Sequence, residues 1–386
     1  MATDLSSPVA SKEQVMPTPA ESARKVIAFS KAEGRLVSLD TFRGFIMFWI
    51  IGGDAFAHAL RALKPNFLFN ALAYEMSHTP WQGLRFYDCI WPSFMLMVGI
   101  SIPFSFAKRS RTETYPQILV HALTRFVVLF LLGSLRESIS RGHPYWIELS
   151  SALQPIAVAY LAAMLLVRKS QKVQAAVGAL ILFVYALILA FVPGPGVPAG
   201  SYLPGVNLVR AIDIMLLGRT FPVTDAWGTI LCTLPTISTT ILGLLIGEWL
   251  MSSRSSQSKA KMIAGVGLLC LAVGYALSPI VPIIMKIWTT SYGLTSAGWA
   301  CLMFAFFYWL VDLRGRREWT LPLVVIGSNA VFIYMLSSIV PLPEWVSIFT
   351  RGMAANVAPL ANAAVVLLVE WLILFWMYRN RILIKA

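Results

Sequence analysis

The sequence predicts an all-α polytopic membrane protein of about ten transmembrane helices, with both termini on the cytoplasmic side. Three observations predict it. Of 386 residues, 58% are hydrophobic and only 13% charged, where a soluble domain averages about 25% charged. The mean hydropathy is +0.71. The apolar residues gather into runs matching the roughly 20 helical residues that a bilayer's hydrocarbon core demands. The net charge of +13 does not point to nucleic acid, because the basic residues fall in short clusters between the apolar runs, where they set topology.

Taken in order, residues 1–34 are rich in Ser, Pro and Ala and carry no apolar run near Met1. They are expected to be a disordered cytoplasmic tail rather than a signal peptide, ahead of one transmembrane domain over residues 35–386. Spans are expected at 45–63, 86–106, 118–135, 152–167, 173–191, 228–250, 262–281, 294–311, 321–340 and 359–378. The basic clusters KRSR (108–111), RKSQK (168–172), SSRSSQSKAK (252–261), RGRR (314–317) and YRNRILIKA (378–386) then share a side with Arg35 and Arg43. About 21 of the 31 basic residues are cytoplasmic in that orientation and about 10 are outside. The outer loops hold His78, His143, PGPGVPAGSYLPG, which is expected to be rigid and extended, and PIIMKIWTTSYG. Cys89, Cys232, Cys270 and Cys301 sit in or beside apolar runs with no CxxC pairing. They read as small core residues, and neither disulfide nor metal is expected.

Polar residues inside the spans and at their mouths are the candidates for chemistry. Asp54 and His58 are four apart on the first span and share a helix face, where enclosed charge is functional by default. His121 and Arg125 repeat that spacing on the third span, nearer the cytoplasm, where a cation meets phosphates or simply snorkels. Asp40 and Arg43 stand one turn apart at the cytoplasmic mouth of the first span, and a helix start favours the aspartate. Glu370, near the inner end of the last span, reads as packing or snorkelling. The stretch SHTPWQGLRFYDCIWPSF (77–94) is richer: it sets His78, Trp81, Gly83 and Asp88 at the mouth of the second span. The plain reading is an aromatic belt of Trp81 and Trp91 with a solvated histidine. No GxSxG elbow, P-loop or GxGxxG turn is present.

RLVSLDTFRGF (35–45) and HTPWQGLRFYDCIWPSFMLMVGISIPFS (78–105) resemble the family of heparan-alpha-glucosaminide N-acetyltransferase and its bacterial relatives. The resemblance continues through LQPIAVAY (153–160), NLVRAIDIMLLG (207–218), DAWGTILCTLPTI (225–237), PIIMKIWTTSYGLTSAG (282–298), YWLVDLRG (308–315) and IGSNAVFIY (326–334). The opening R-x-x-SLD-x-FRG is shared with other membrane acyltransferases. The H-x-x-W-x-G block joined to D-x-x-x-P is more specific.

The resemblance implies a transmembrane N- or O-acetyltransferase. It implies that cytoplasmic acetyl-CoA is the co-substrate and that an amino sugar or glycan across the membrane receives the acetyl group. His78 matches the family's active-site histidine; Asp88, Asp54 and His58 are the other catalytic candidates. An imidazole takes a proton near neutral pH or carries the acetyl group itself, and both routes need His78. Asp40, Arg43, His121, Arg125 and Gln154 are assigned to acetyl-CoA, and Trp81, Asp213, Lys286 and Asn329 to the acceptor. The sequence departs from the sugar-acetylating enzyme at MLSS (335–338), where that enzyme has a histidine, and around Gly52, Gly53 and Asp54, where an asparagine is expected. No large domain is expected ahead of the first span. These departures leave the acceptor open and favour a bacterial inner membrane and an envelope glycan. The expected partners are the lipid bilayer, acetyl-CoA and the acceptor, with a homodimer left open and no nucleic acid. A secondary transporter or flippase is the competing class, disfavoured because the two halves show no internal repeat.

Overall fold

A computed structural model describes residues 36–63, 66–142, 144–146, 149, 151–218 and 227–384; the expected tail 1–34 and His143 lie outside the described residues. Among the described residues fourteen α-helices follow one another: α1 Val37–Ala62, α2 Phe67–Glu75, α3 Ile90–Arg109, α4 Tyr115–Arg141, α5 Leu153–Leu166, α6 Gln171–Phe191, α7 Leu208–Leu217, α8 Thr233–Met251, α9 Ser256–Leu277, α10 Thr290–Phe307, α11 Leu321–Ser328, α12 Ala330–Ile339, α13 Leu342–Thr350 and α14 Ala358–Arg379. A 3₁₀ turn, Tyr87–Cys89, leads into α3, and a π-helical turn, Tyr308–Leu313, ends α10. One small hairpin pairs β1 (Tyr202–Leu203) with β2 (Val206–Asn207).

Local chemistry starts these helices where it should. The Gln117 side chain accepts from the Thr114 backbone at the start of α4. Ser170, Ser255 and Thr289 cap α6, α9 and α10 by accepting a first-turn N–H, which satisfies donors that otherwise have no helical partner.

Among the described residues, eight helices are long and apolar enough to cross a membrane: α1, α3 with its 3₁₀ turn, α4, α6, α8, α9, α10 with its π turn, and α14. The chain is therefore a polytopic helical membrane protein. Two of the expected spans differ. The segment at 152–167 folds into α5, a helix of 14 residues, which reaches only about 21 Å at 1.5 Å per residue. The segment at 321–340 is bent by 64° at Asn329, between α11 and α12, and makes a ninth crossing only if the pair counts as one.

Burial separates centre from periphery. The spans built on α3, α8 and α10 are 67%, 67% and 61% buried, whereas α6 and α9 are 22% and 17% buried and turn side chains such as Phe183 and Leu268 outward. α3 and α8 interlock through glycines: a Cβ on Gly99 would run into the Thr240 carbonyl, and one on Gly243 into the Leu96 carbonyl. Small residues of this kind let two membrane helices approach backbone to backbone. Around them lies the core of Phe42, Ile46, Met95, Ile100, Trp288, Tyr292 and Phe304. The Phe42 ring sits 5.3 Å from that of Phe307 and 5.8 Å from that of Phe304. α11 lies along the first half of α1, with Gly44 against the Leu323 carbonyl and Gly327 against the Asp40 carbonyl. Glu370 is 1% exposed. It lies nine residues before Arg379, the end of α14, so about 13 Å of helix separates it from that end. It is enclosed by packing and does not snorkel.

Candidate active site

The loop after α2 is fixed from several sides. Gly83 adopts φ +123, a conformation that side chains rarely tolerate. Its N–H reaches the Ile283 carbonyl at 2.9 Å, beside a bridge between Gln82 and Ile284. The Trp81 indole donates to the Tyr202 carbonyl at 2.8 Å. The loop is thereby held between the β-hairpin and the segment leading into α10.

This frame brings His78 onto Asp88, ten residues on, in the 3₁₀ turn that opens α3. The His78 Nδ1 lies 2.9 Å from Asp88 Oδ1. Oδ2 accepts from the Thr79 hydroxyl at 2.9 Å, the Thr79 N–H at 3.4 Å and the Arg85 N–H at 2.9 Å. The Tyr292 hydroxyl donates to the Asp88 carbonyl at 2.7 Å. With its donors grouped on Oδ2, the carboxylate leaves Oδ1 to the imidazole. An ionised carboxylate only accepts, so the proton belongs on Nδ1 and the lone pair on Nε2. The ring is flanked by Tyr87, centroids 4.6 Å apart, and by the edge of Trp227 at 5.3 Å.

Trp227 is itself braced. Asp213, 3% exposed, accepts from the Thr229 N–H at 2.9 Å, the Thr229 hydroxyl at 3.0 Å and the Ile230 N–H at 3.2 Å. The Gly228 N–H donates to the Lys286 carbonyl at 2.8 Å. Burial pushes the Asp213 carboxyl above the usual carboxylate range, while the bonds from Thr229 and Ile230 and the Arg210 charge pull the other way.

At the opposite end of α1 and α3 opens a cavity of about 1380 Å³ whose lining includes Asp40, Arg43, Lys108, Arg109, Arg111, His121 and Arg125. Arg43 bonds Asp40 at 3.0 Å and the Ser101 hydroxyl at 3.1 Å. Glu113 is shared by Arg109 at 3.0 Å and His121 at 3.5 Å. Arg125 lies over the Tyr160 ring at 4.7 Å, and its buried Nε has no hydrogen-bond partner among the described residues. Phe94, Leu129, Leu153 and Val331 also line the cavity. Phe94 is seven residues after Tyr87, which makes about 10 Å along the helix axis between cavity wall and histidine platform.

The expected residues thus fall into two groups, His78, Asp88 and Trp81 at one end and Asp40, Arg43, His121 and Arg125 at the other. Four expectations need correction. Asp54 and His58 are not enclosed: their side chains are 73% and 69% exposed and 3.8 Å apart, because the buried stripe of α1 runs through Gly53 and Ala57 and turns them outward. Gln154 does not line the cavity; its amide NH2 donates to the Ser134 hydroxyl and the Trp146 carbonyl, both at 3.1 Å, while Leu153, Ile156, Tyr160 and Met164 of the same helix reach the cavity. Asn329 lies at the Arg43 end, donating to the Ile382 carbonyl at 3.0 Å and accepting from the Ile384 N–H at 2.8 Å. It is therefore apart from the other acceptor candidates. Asp213 and Lys286 are buried, at 3% and 8%, and support Trp227 from behind. The sequence reading missed Thr79, Arg85, Tyr87 and Trp227 at the dyad, although all four lie in the quoted blocks. It took KRSR for topology alone, whereas Lys108, Arg109 and Arg111 line the cavity.

A histidine bonded to a sheltered carboxylate stands at one end of the bundle and a cationic cavity at the other, and the class this defines is an integral-membrane protein with a polar site at each end. Residues 35–278 match the catalytic region of heparan-alpha-glucosaminide N-acetyltransferase, and the chain belongs to that family. It is accordingly of the transmembrane acetyltransferase type. No curated protein matches the sequence.

Proposed function

We propose that the protein takes the acetyl group of cytoplasmic acetyl-CoA, held in the cationic cavity, and delivers it at His78 to an amino sugar or envelope glycan on the outer side of a bacterial inner membrane. The observation that carries this reading is the 2.9 Å contact between His78 Nδ1 and the fully sheltered Asp88. It leaves Nε2 free to act as a base or nucleophile.

The cavity suits the co-substrate on two counts. Its arginines and lysine suit phosphate oxygens. Its volume of about 1380 Å³ exceeds the roughly 300–1,000 Å³ of an ordinary small-molecule site. The orientation, with the Arg43 end and both termini cytoplasmic, rests on the excess of Lys and Arg on that side.

In the direct route Nε2 removes a proton from the acceptor nitrogen or oxygen as that atom adds to the acetyl carbonyl. The carbon–sulfur bond then breaks, and the imidazolium returns its proton to the leaving thiolate. Asp88 stabilises the imidazolium formed in between and holds the ring in place. In the two-step route Nε2 adds to the carbonyl first and the carbon–sulfur bond breaks, releasing CoA as a thiolate; the acceptor then adds to the acetyl-imidazolium carbon, the bond to Nε2 breaks, and the acceptor's proton passes by way of Nε2 to the thiolate. The test is mass spectrometry of products after incubating the protein in nanodiscs with acetyl-CoA and a panel of amino sugars and envelope glycans. An acetylated product that disappears in His78→Ala supports the reading, and release of no CoA with any acceptor refutes it.

A further inference from the structure

The helix that leads into His78 points to a second role for the bilayer. We propose that α2 is an interfacial helix whose apolar face sits in the lipid leaflet at the His78 end, and that this seating holds the His78 loop in register with Asp88. The second half rests on the proposed role of His78; the first does not.

The sequence of α2, FLFNALAYE, has only Asn70 and Glu75 as polar residues. Its exposed surface is mostly apolar: Phe67 is 89% exposed, Leu68 56%, Tyr74 55% and Leu72 42%, with Asn70 and Glu75 exposed beside them and Ala73 alone buried. Its depth follows from α1. That helix has 26 residues, so it spans about 39 Å against roughly 30 Å of hydrocarbon, and its last turn emerges at the lipid–water boundary. Arg61 of that turn donates to the Ala73 carbonyl at 3.4 Å, which ties α2 to this level.

The occupant of the exposed face is lipid. A nine-residue helix is far smaller than the roughly 20–30 residues a side of a stable protein interface. Its aromatic ends, Phe67 and Tyr74, with Arg61 and Arg85 at the polar edge, follow the pattern of membrane-boundary anchors. Helices of this type lie in the interface plane with the apolar side down.

The coupling runs through one residue. The Arg85 guanidinium lies 3.8 Å from the Tyr74 ring centroid and donates to the Ser77 hydroxyl at 2.8 Å and the His78 carbonyl at 3.0 Å. Its backbone N–H holds Asp88 Oδ2. Glu75 adds a bond to the neighbouring Phe86 N–H at 2.9 Å. A tilt of α2 therefore moves His78 against Asp88.

Two measurements test this. A nitroxide on Leu68→Cys, in a Cys270→Ser background, is examined in nanodiscs for collisions with oxygen and with a water-soluble nickel chelate. Oxygen prevailing supports seating in lipid. The chelate prevailing, which places the face in water, or exclusion of both, which places it under protein, overturns it. Separately, Leu68→Asp with Leu72→Asp is expected to lower kcat for acetyl transfer by about tenfold or more, with acetyl-CoA affinity within about twofold and Leu68→Phe with Leu72→Phe close to wild type. Full activity of the aspartate pair overturns the coupling. Absence of transfer in every variant and in wild type counts against the acetyltransferase reading, while the nitroxide still decides the seating.

Discussion

Asp88 and His78 form an asymmetric pair: Oδ1 and Nδ1 are 2.9 Å apart, the carboxylate is 0% exposed and the imidazole 41%. Only the histidine is open to a reactant, so in the proposed reaction the aspartate acts on the ring rather than on the substrate. Asp88→Asn keeps the volume but offers the ring an amide, with no charge to stabilise an imidazolium. The expected outcome is a fall in kcat of about 10²- to 10⁴-fold with the KM for acetyl-CoA unchanged, measured by steady-state acetyl transfer in nanodiscs.

His78 and His58, the two described histidines at this end of the bundle, are separable. His78→Ala is expected to abolish transfer while acetyl-CoA affinity stays within a few fold. His58→Ala, which removes one partner of an exposed pair 3.8 Å apart, is expected only to slow it. Turnover above about a tenth of wild type in His78→Ala lies outside the range for loss of a general base and shifts the chemistry to His58 and Asp54.

Several features of this arrangement were legible beforehand. Span length and basic clusters gave the polytopic helical class, and the ten-residue spacing from His78 to Asp88 allowed the return contact that the 3₁₀ turn makes. Other features were hidden for physical reasons. Period 3.6 groups Asp54 with His58 but does not say which face of α1 meets the bundle. Trp227 reaches His78 across about 150 residues of chain, a pairing that sequence spacing does not encode. The bend at Asn329 directly follows Gly327 and Ser328, a pairing at which helices kink, and the apolar length of 321–340 outweighed that local signal.

The cationic cavity makes its own prediction. Arg125→Ala and Arg43→Ala are each expected to weaken acetyl-CoA binding by about ten- to a hundredfold, the worth of one charge-assisted hydrogen bond, and the loss is expected to shrink at high salt. Isothermal titration in nanodiscs reads this directly. In sealed vesicles acetyl-CoA is expected to be consumed only when supplied to the Arg43 side. Equal consumption from both sides contradicts the orientation.

Asp213 has a pH signature. Its carboxyl is raised above the usual range chiefly by burial, so the folded protein holds that proton more tightly than the unfolded chain does. The stability associated with the group is fully present below the ordinary carboxylate pKa of about 3.9 and is lost as pH rises through the raised folded value. Relative to Asp213→Asn, the wild type is expected to gain thermal stability as pH falls through that window, read as the difference in Tm between the two proteins at successive pH values. A Tm difference that shrinks on acidification contradicts the raised value.

The glycine contacts between α3 and α8 have a mechanical consequence. Gly99 and Gly243 bring the two backbones together, and Gly247 sits against the Ile100 carbonyl and the Pro103 ring, so neither helix can slide or roll without collision. The cavity is walled on one side by α3, through Phe94, Met97, Val98 and Ser101, and on another by α4, through His121, Arg125, Val128 and Leu129. α4 is only 28% buried. One wall is a keel, fixed by backbone against backbone, and the other is planking, a helix with most of its surface outside the protein core.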